Sequence, residues 1–254
     1  MKRAWLKYTL LGLLTYALAL IVLLPAQQVY GVAQPYLARS IPVTLHDLGG
    51  SVWSGRAGTL AWRSTPLGAL QWELSPWQLL QGRLGVQWQL QDTATALTGH
   101  ATVRRDGSIA LRDVAARIPA AQLMLFNPGL PIAADGTIAI KLDEAQLQPQ
   151  AAPALRGTVV WSQALLVAGQ PLQLGDLRLT LQPAENGGSS GAIADGGGPL
   201  EITGTVVLDA NRSYRLDARL RARPGADAAL SRGLQLLGRA DARGYHTLRY
   251  SGRL

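Results

Sequence analysis

A chain of 254 residues with 48% hydrophobic and 16% charged residues, 28 Gly, 14 Pro and no Cys is not a disulfide-stapled mini-protein, a collagen, a coiled coil or a disordered chain. Without cysteine there is no thiol nucleophile, thiolate metal site or disulfide, and three histidines (His46, His100, His246) leave little for a metal cluster. The net charge of +8 (24 basic minus 16 acidic) is front-loaded in Lys2, Arg3 and Lys7; the remaining 21 against 16 is a mild excess, and the one dense run, Arg215, Arg219, Arg221 and Arg223, is interleaved with Asp217, so nucleic acid is not an expected partner.

Behind a short basic segment, residues 1–7, the chain carries no Lys, Arg, Asp or Glu from Tyr8 until Arg39. Tyr8–Leu24 is mostly Leu, Ala, Ile and Val; as a helix it reaches about 25 Å, and an extension through Pro25–Val29 brings it to the hydrocarbon thickness of a bilayer. The sequence therefore predicts a single transmembrane anchor over 8–29. Basic residues on its N-terminal side put residues 1–7 in the cytoplasm and 30–254 outside it. Trp5, Tyr8, Tyr30 and Tyr36 flank the run as interfacial aromatics do. A cleavable signal peptide ending near Gly31-Val32-Ala33 is the competing reading, although its apolar stretch exceeds the usual length.

After the anchor, strict alternation marks strands. Leu70, Trp72 and Leu74 alternate with polar residues, as do Leu84, Val86, Trp88 and Leu90; Ile138, Ile140 and Leu142; Leu177, Leu179 and Leu181; Leu200, Ile202, Val206 and Leu208; Tyr214, Leu216, Ala218 and Leu220; and His246, Leu248 and Tyr250. Each such strand has one apolar and one wet face. Asp106-Gly107 predicts a two-residue type I′ hairpin, and Asp209–Arg212 and Asp241–Gly244 predict longer loops of the same kind. Short helices are expected at Ser75–Gly82, Ile118–Phe126 and Asp227–Leu237, the last with Asp227 as cap, Gly238 just past its end and Gly233 as an internal weakness. Pro183–Pro199, with six Gly and two Ser in seventeen residues, reads as a flexible loop. The expected fold is mainly β: a single N-terminal transmembrane helix, then an antiparallel meander, either a curved open sheet or sandwich-like, with two or three short helices.

Candidate chemistry is sparse. Gly187-Gly188-Ser189-Ser190-Gly191 matches the letters of a nucleophile elbow, but no strand-to-helix turn surrounds it. His46-Asp47 and Asp143-Glu144 read as solvated pairs rather than acid–base dyads. No nucleophile, base and orienting group converge, so neither an enzyme nor a bound cofactor or metal is expected.

Two stretches carry a resemblance. Leu48-Gly49-Gly50-Ser51-Val52-Trp53-Ser54-Gly55-Arg56, then Trp72-Glu73-Leu74-Ser75-Pro76 and Leu79-Leu80-Gln81-Gly82-Arg83, resemble the N-terminal signature of the type II secretion system protein N family. Leu236-Leu237-Gly238-Arg239 and the closing Tyr250-Ser251-Gly252-Arg253-Leu254 are similar to its C-terminal end. The resemblance implies an inner-membrane component of the machine that exports folded proteins from the periplasm of Gram-negative bacteria, with other subunits of that machine as partners. It also implies that Gly50, Val52, Trp53, Gly55, Trp72, Leu74, Pro76, Leu79, Leu80, Gly82, Tyr250, Ser251 and Gly252 serve structure or partner contact. Trp53, Trp72 and Trp88 have the simpler reading of core aromatics. An anchored meander with one apolar face also resembles the lipid-carrying half-pipes of AsmA-like proteins, in which Leu84, Val86, Trp88, Leu177, Leu179 and Leu181 would line a groove for acyl chains.

Overall fold

The computed structural model describes residues 12–13, 15–16, 23–40, 42–63, 65–79, 81–124, 133–168, 170–185 and 187–253. The chain divides into two compact units, one up to Thr93 and one from Ala94 onward.

The first unit is a four-stranded antiparallel meander: β1 (Val43–Gly50), β2 (Ser54–Trp62), β3 (Thr65–Ser75) and β4 (Arg83–Gln91), with helix α1 (Ala26–Ser40) before β1 and the short α2 (Pro76–Leu79) between β3 and β4. The alternation predicted for β3 and β4 falls into register, pairing Leu70 with Leu90, Trp72 with Trp88 and Leu74 with Val86. Cross-strand pairs of this kind are the stabilising unit of a sheet. Leu90 is buried, whereas Trp72, Leu74, Leu84, Val86 and Trp88 are half-buried.

Helix α1 corrects the expected anchor at its C-terminal end. Pro25 forms an isolated bridge with Ser51, and the Leu24 carbonyl accepts a 2.9 Å bond from the Val52 N–H. A new helix begins at Ala26, which is buried, and the Tyr30 hydroxyl accepts from the Leu45 N–H at 3.0 Å. At the far end of the sheet the Pro42 carbonyl accepts from the Arg63 N–H. Pro25–Val29 therefore belongs to the folded unit instead of lengthening the span, and Tyr30 serves the β1 backbone. Residues 8–11, 14 and 17–22 of the expected span lie outside the described residues, as do Trp5 and Tyr8. Among the described residues no helix is long and apolar enough to cross a membrane.

The second unit is a nine-stranded antiparallel meander: β5 (Ala96–Arg104), β6 (Ile109–Pro119), β7 (Ala133–Leu147), β8 (Ala154–Ala168), β9 (Gln170–Pro183), β10 (Ser189–Asp195), β11 (Leu200–Leu208), β12 (Ser213–Ala222) and β13 (His246–Arg253). Helix α3 (Ala120–Met124) follows β6, and α4 (Ala228–Gln235) precedes β13. Neither unit is a sandwich: each strand pairs with its sequence neighbours.

Strand β10 corrects the loop expected over Pro183–Pro199. Its small side chains fit where larger ones would collide, since a Cβ at Gly191 would sit 2.8 and 3.1 Å from methyl groups of Leu179 and Leu181. Ladders to β9 and β11 on both sides outweigh the strand-averse composition. The β5–β6 turn also differs from expectation. Gly107 N–H donates to the Arg104 carbonyl and Arg104 N–H to the Ser108 carbonyl, with Gly107 at φ 76° and Asp106 outside the positive-φ region. This is a three-residue loop ending in a left-handed glycine, set by the Asp106 carboxylate accepting from both the backbone N–H and the hydroxyl of Ser108. Asp209–Ser213 and Asp241–Tyr245 repeat its backbone bonding, as expected of loops of one kind.

A line of bulges crosses β7, β8 and β9. Register shifts between Asp135 and Thr137 and between Trp161 and Ala164 bracket Gln163, whose φ is 52° and whose N–H donates to the Asp176 carboxylate at 2.8 Å. Bulges bend a strand and increase its twist. Beside this line, α4 lays Leu230 and Leu234 on Ala164, Leu174, Leu200, Ala218 and Leu220, the core of the unit. Asp227 caps the helix through Ala229 N–H as the sequence predicts, and Gly233 lets it approach Leu172, where a Cβ would lie 3.3 Å from a methyl group. Away from α4, Val159, Leu179, Leu181 and Val206 of the same face are half-buried.

Leu234, 6% exposed, anchors this core, whereas Leu236, two residues on, is 89% exposed. Leu234→Ala is expected to lower the stability of the second unit by about 2–5 kcal/mol, and Leu236→Ala to leave it within about 0.5 kcal/mol, both read from urea unfolding midpoints.

Candidate functional site

The N-terminal motif residues converge on one end of the first unit. Gly50 closes β1 at φ 85°, Val52 and Trp53 form the β1–β2 connection, Gly55 lies in β2, Trp72 and Leu74 end β3, and Pro76 and Leu79 belong to α2. Gly82 N–H donates to the Leu79 carbonyl to close the β3–β4 connection; Leu80 lies outside the described residues.

The indole of Trp72 organises this rim. Its Nε1–H donates to the Val52 carbonyl at 2.9 Å, and the Leu74 N–H donates to the Trp53 carbonyl at 2.6 Å, so β3 holds the β1–β2 connection by two bonds. The ring reaches across because Gly55, its register partner on β2, has no side chain: a Cβ there would fall inside the indole and 2.8 Å from the Ser51 carbonyl. The spacing of Gly55 and Trp72 thus reflects one steric constraint. Trp53, Trp72 and Trp88 are half-buried rather than core aromatics.

On the wet face of this sheet a shallow depression of about 510 Å³ is lined by Ser54, Arg56, Gln71, Glu73, Gln87 and Gln89, with Trp72, Trp88 and glycine backbone. It offers amides, the Ser54 hydroxyl, one guanidinium and one carboxylate, a polar contact surface.

Tyr250, Ser251 and Gly252 lie on β13, the last strand of the second unit. Gly252, the register partner of Tyr214, leaves room for the Tyr214 ring, which meets Tyr250 in a tilted pair with centroids 5.9 Å apart. Tyr250 is 60% exposed. Nearby, Glu201 gathers Arg221 at 2.6 Å and the Tyr245 hydroxyl at 2.7 Å, with the Arg221 guanidinium over the Tyr245 ring. The Tyr245 hydrogen bond, then Arg221, hold the Glu201 carboxyl below its ordinary value. Burial pushes Asp195 up, but hydrogen bonds from Arg223 and from the N–H groups of Ile202 and Gly197 outweigh it, and its carboxyl too is lowered. Arg221 and Arg223 of the dense basic run are therefore engaged within the fold.

The remaining chemical candidates are absorbed by structure. Ser189, 3% exposed, donates to the Pro153 carbonyl and accepts from the Leu155 N–H, fastening the start of β10 to that of β8. His46 and Asp47 lie within β1, and Asp143 and Glu144 within β7, so these pairs are on strands rather than in the solvated loop and turn that the sequence suggests. Among the described residues no three His, Cys, Asp or Glu side chains cluster as metal ligands do. Sequence reasoning missed α1 and the role of Tyr30; the spacing of Tyr30, Ala33 and Leu37 beyond Pro25 was the available helical signal.

The family described as type II secretion system (T2SS), protein N, matches residues 42–249. A relative from Aeromonas hydrophila named type II secretion system protein N is 30% identical over 218 residues, covering 84% of this chain and 85% of its own. Proteins of the same name from Klebsiella pneumoniae and Vibrio cholerae are 26% and 27% identical, covering 85% and 100% of this chain and 87% and 100% of their own. No solved structure matches.

Gly55→Ala is expected to destabilise the first unit by about 1–3 kcal/mol through the clash with Trp72. Combined with Trp72→Phe, whose smaller ring relieves that clash, it should cost less than the sum of the two single changes in a denaturation cycle.

Acid should also weaken the second unit. Glu201 and Asp195 are held below their unfolded values, so their stabilisation is complete above the ordinary carboxylate range near about pH 4. It is lost as pH falls through the depressed native values. In urea titrations across pH, the doubly substituted Asp195→Asn, Glu201→Gln chain should be less stable at neutral pH and lose less stability on acidification.

Proposed function

Because the chain belongs to the type II secretion system protein N family, we propose that it serves that machine as a non-catalytic component anchored in the inner membrane, with residues 1–7 cytoplasmic and the two β-rich units in the periplasm. The match over residues 42–249, which takes in both units, carries this reading. The uncharged run Tyr8–Leu24 behind Lys2, Arg3 and Lys7 supports the anchor and its orientation. A non-catalytic role is supported by the way Ser189 is consumed in backbone bonds. Its partners are other subunits of the machine, and the outer edge of β13, beside exposed Tyr250, is a surface to which a partner strand can add.

A second reading, an AsmA-like lipid-binding groove, is favoured by one observation: α4 covers the apolar face of the second unit near Leu174, Leu200 and Leu220, while Val159, Leu179, Leu181 and Val206 are half-buried.

Deleting the gene in its host is expected to shift a secreted hydrolase from the medium to the periplasm, with the intact chain restoring export. Unchanged export together with phospholipid extracted from the purified chain would favour the groove.

A further inference from the structure

The first unit presents one end that carries no charge on its connections. The β1–β2 connection and its flanks, residues 48–55, hold no ionisable side chain, and between Leu74 and Gln91 the one charged residue is Arg83, at the start of β4 and exposed. On the β3–β4 connection Trp77 is 77% exposed and Leu79 41% exposed. An indole is best accommodated where apolar and polar media meet.

The apolar run of residues 8–24 ends at this same rim, with no linker in between. Leu24 is the residue whose carbonyl holds Val52 N–H at 2.9 Å, and Pro25 is bridged to Ser51. Trp53, next to Val52, accepts from Leu74, two residues before α2 begins. A membrane-spanning segment that ends at Leu24 is thus tied directly to the sheet end that carries Trp77 and Leu79.

We propose that this rim, with Trp77 and Leu79 of α2, is seated in the headgroup–acyl interface of the same bilayer that residues 8–24 span. The proposal rests on the reading of that run as a membrane anchor. Trp77 and Leu79 enter the acyl boundary, Arg83 lies at the level of lipid phosphates, and the unit stands on the membrane with the β2–β3 connection and Thr93 at its far end. The anchor and the rim are two attachments to one surface, which orients the unit instead of leaving it on a swivel.

The absence of cysteine makes the test direct. Single-cysteine variants Trp77→Cys, Leu79→Cys, Thr93→Cys and Leu13→Cys of the full chain are labelled with an environment-sensitive fluorophore and reconstituted into phosphatidylethanolamine–phosphatidylglycerol vesicles. Each is then quenched with aqueous iodide or with doxyl-labelled lipid. The expected result is loss of iodide access and gain of lipid quenching at 77 and 79, with the reverse at 93. Labels at 77 and 79 that respond like the one at 93, while position 13 is lipid-accessible, overturn the proposal and leave the anchor standing. Labels at 77 and 79 shielded from both quenchers assign the rim to a second copy or a protein partner and also overturn it. Iodide access at position 13 overturns the anchor reading, and the proposal with it.

Discussion

An indole N–H, together with the Leu74 N–H on the Trp53 carbonyl, holds the rim of the first unit together. The bond from Trp72 Nε1 to the Val52 carbonyl crosses from β3 to the β1–β2 connection, and it forms because Gly55 leaves the intervening strand bare. Around it the order of the remaining pieces follows. Val52 turns its own N–H to Leu24, Ser51 bridges Pro25, and α1 starts at the next residue. Without the glycine the ring is displaced, and with it the contact between the incoming chain and the sheet.

The second unit is governed by a different constraint. A meander with one apolar face has to cover that face, and a single helix of eight residues does so over the region beside the bulged line of β7, β8 and β9. The helix gains close approach from Gly233, and its two buried leucines meet side chains from β9, β11 and β12 at once. The chain just beyond it is tied back by the Glu201, Arg221 and Tyr245 cluster and by the buried His246 ring on the Gly238 carbonyl. The core sits where one helix reaches, and large side chains elsewhere on the face are covered in part.

Alternation made most of this legible. Strands β3, β4, β7, β9, β11, β12 and β13 follow the period-two pattern because each has one wet face, and the cap at Asp227 is a local bond that sequence spacing reveals. Three features escaped for identifiable reasons. Strand β10 is mostly Ser, Gly and Ala, whose poor strand propensity is overridden by ladders on both sides and by leucines that need the space. Helix α1 follows directly on the apolar run and was absorbed into it. The Asp106-Gly107 turn depends on a side-chain acceptor that fixes the loop one residue longer than the dipeptide suggests. The order and spacing of the motif residues did not say that those of the N-terminal stretch meet at one rim, because the reason, an indole lying over a glycine, is a tertiary fact.

The nearest-neighbour order of the strands within each unit also has a kinetic consequence. A hairpin whose partners are adjacent in sequence closes without waiting for residues still to come, so contacts are local and the entropy of long loop closure is avoided. Within the first unit β1 and β2 can therefore pair before β3 and β4 are added, and within the second each strand from β6 onward can add to the edge left by the one before it, with a paired template waiting for the next segment.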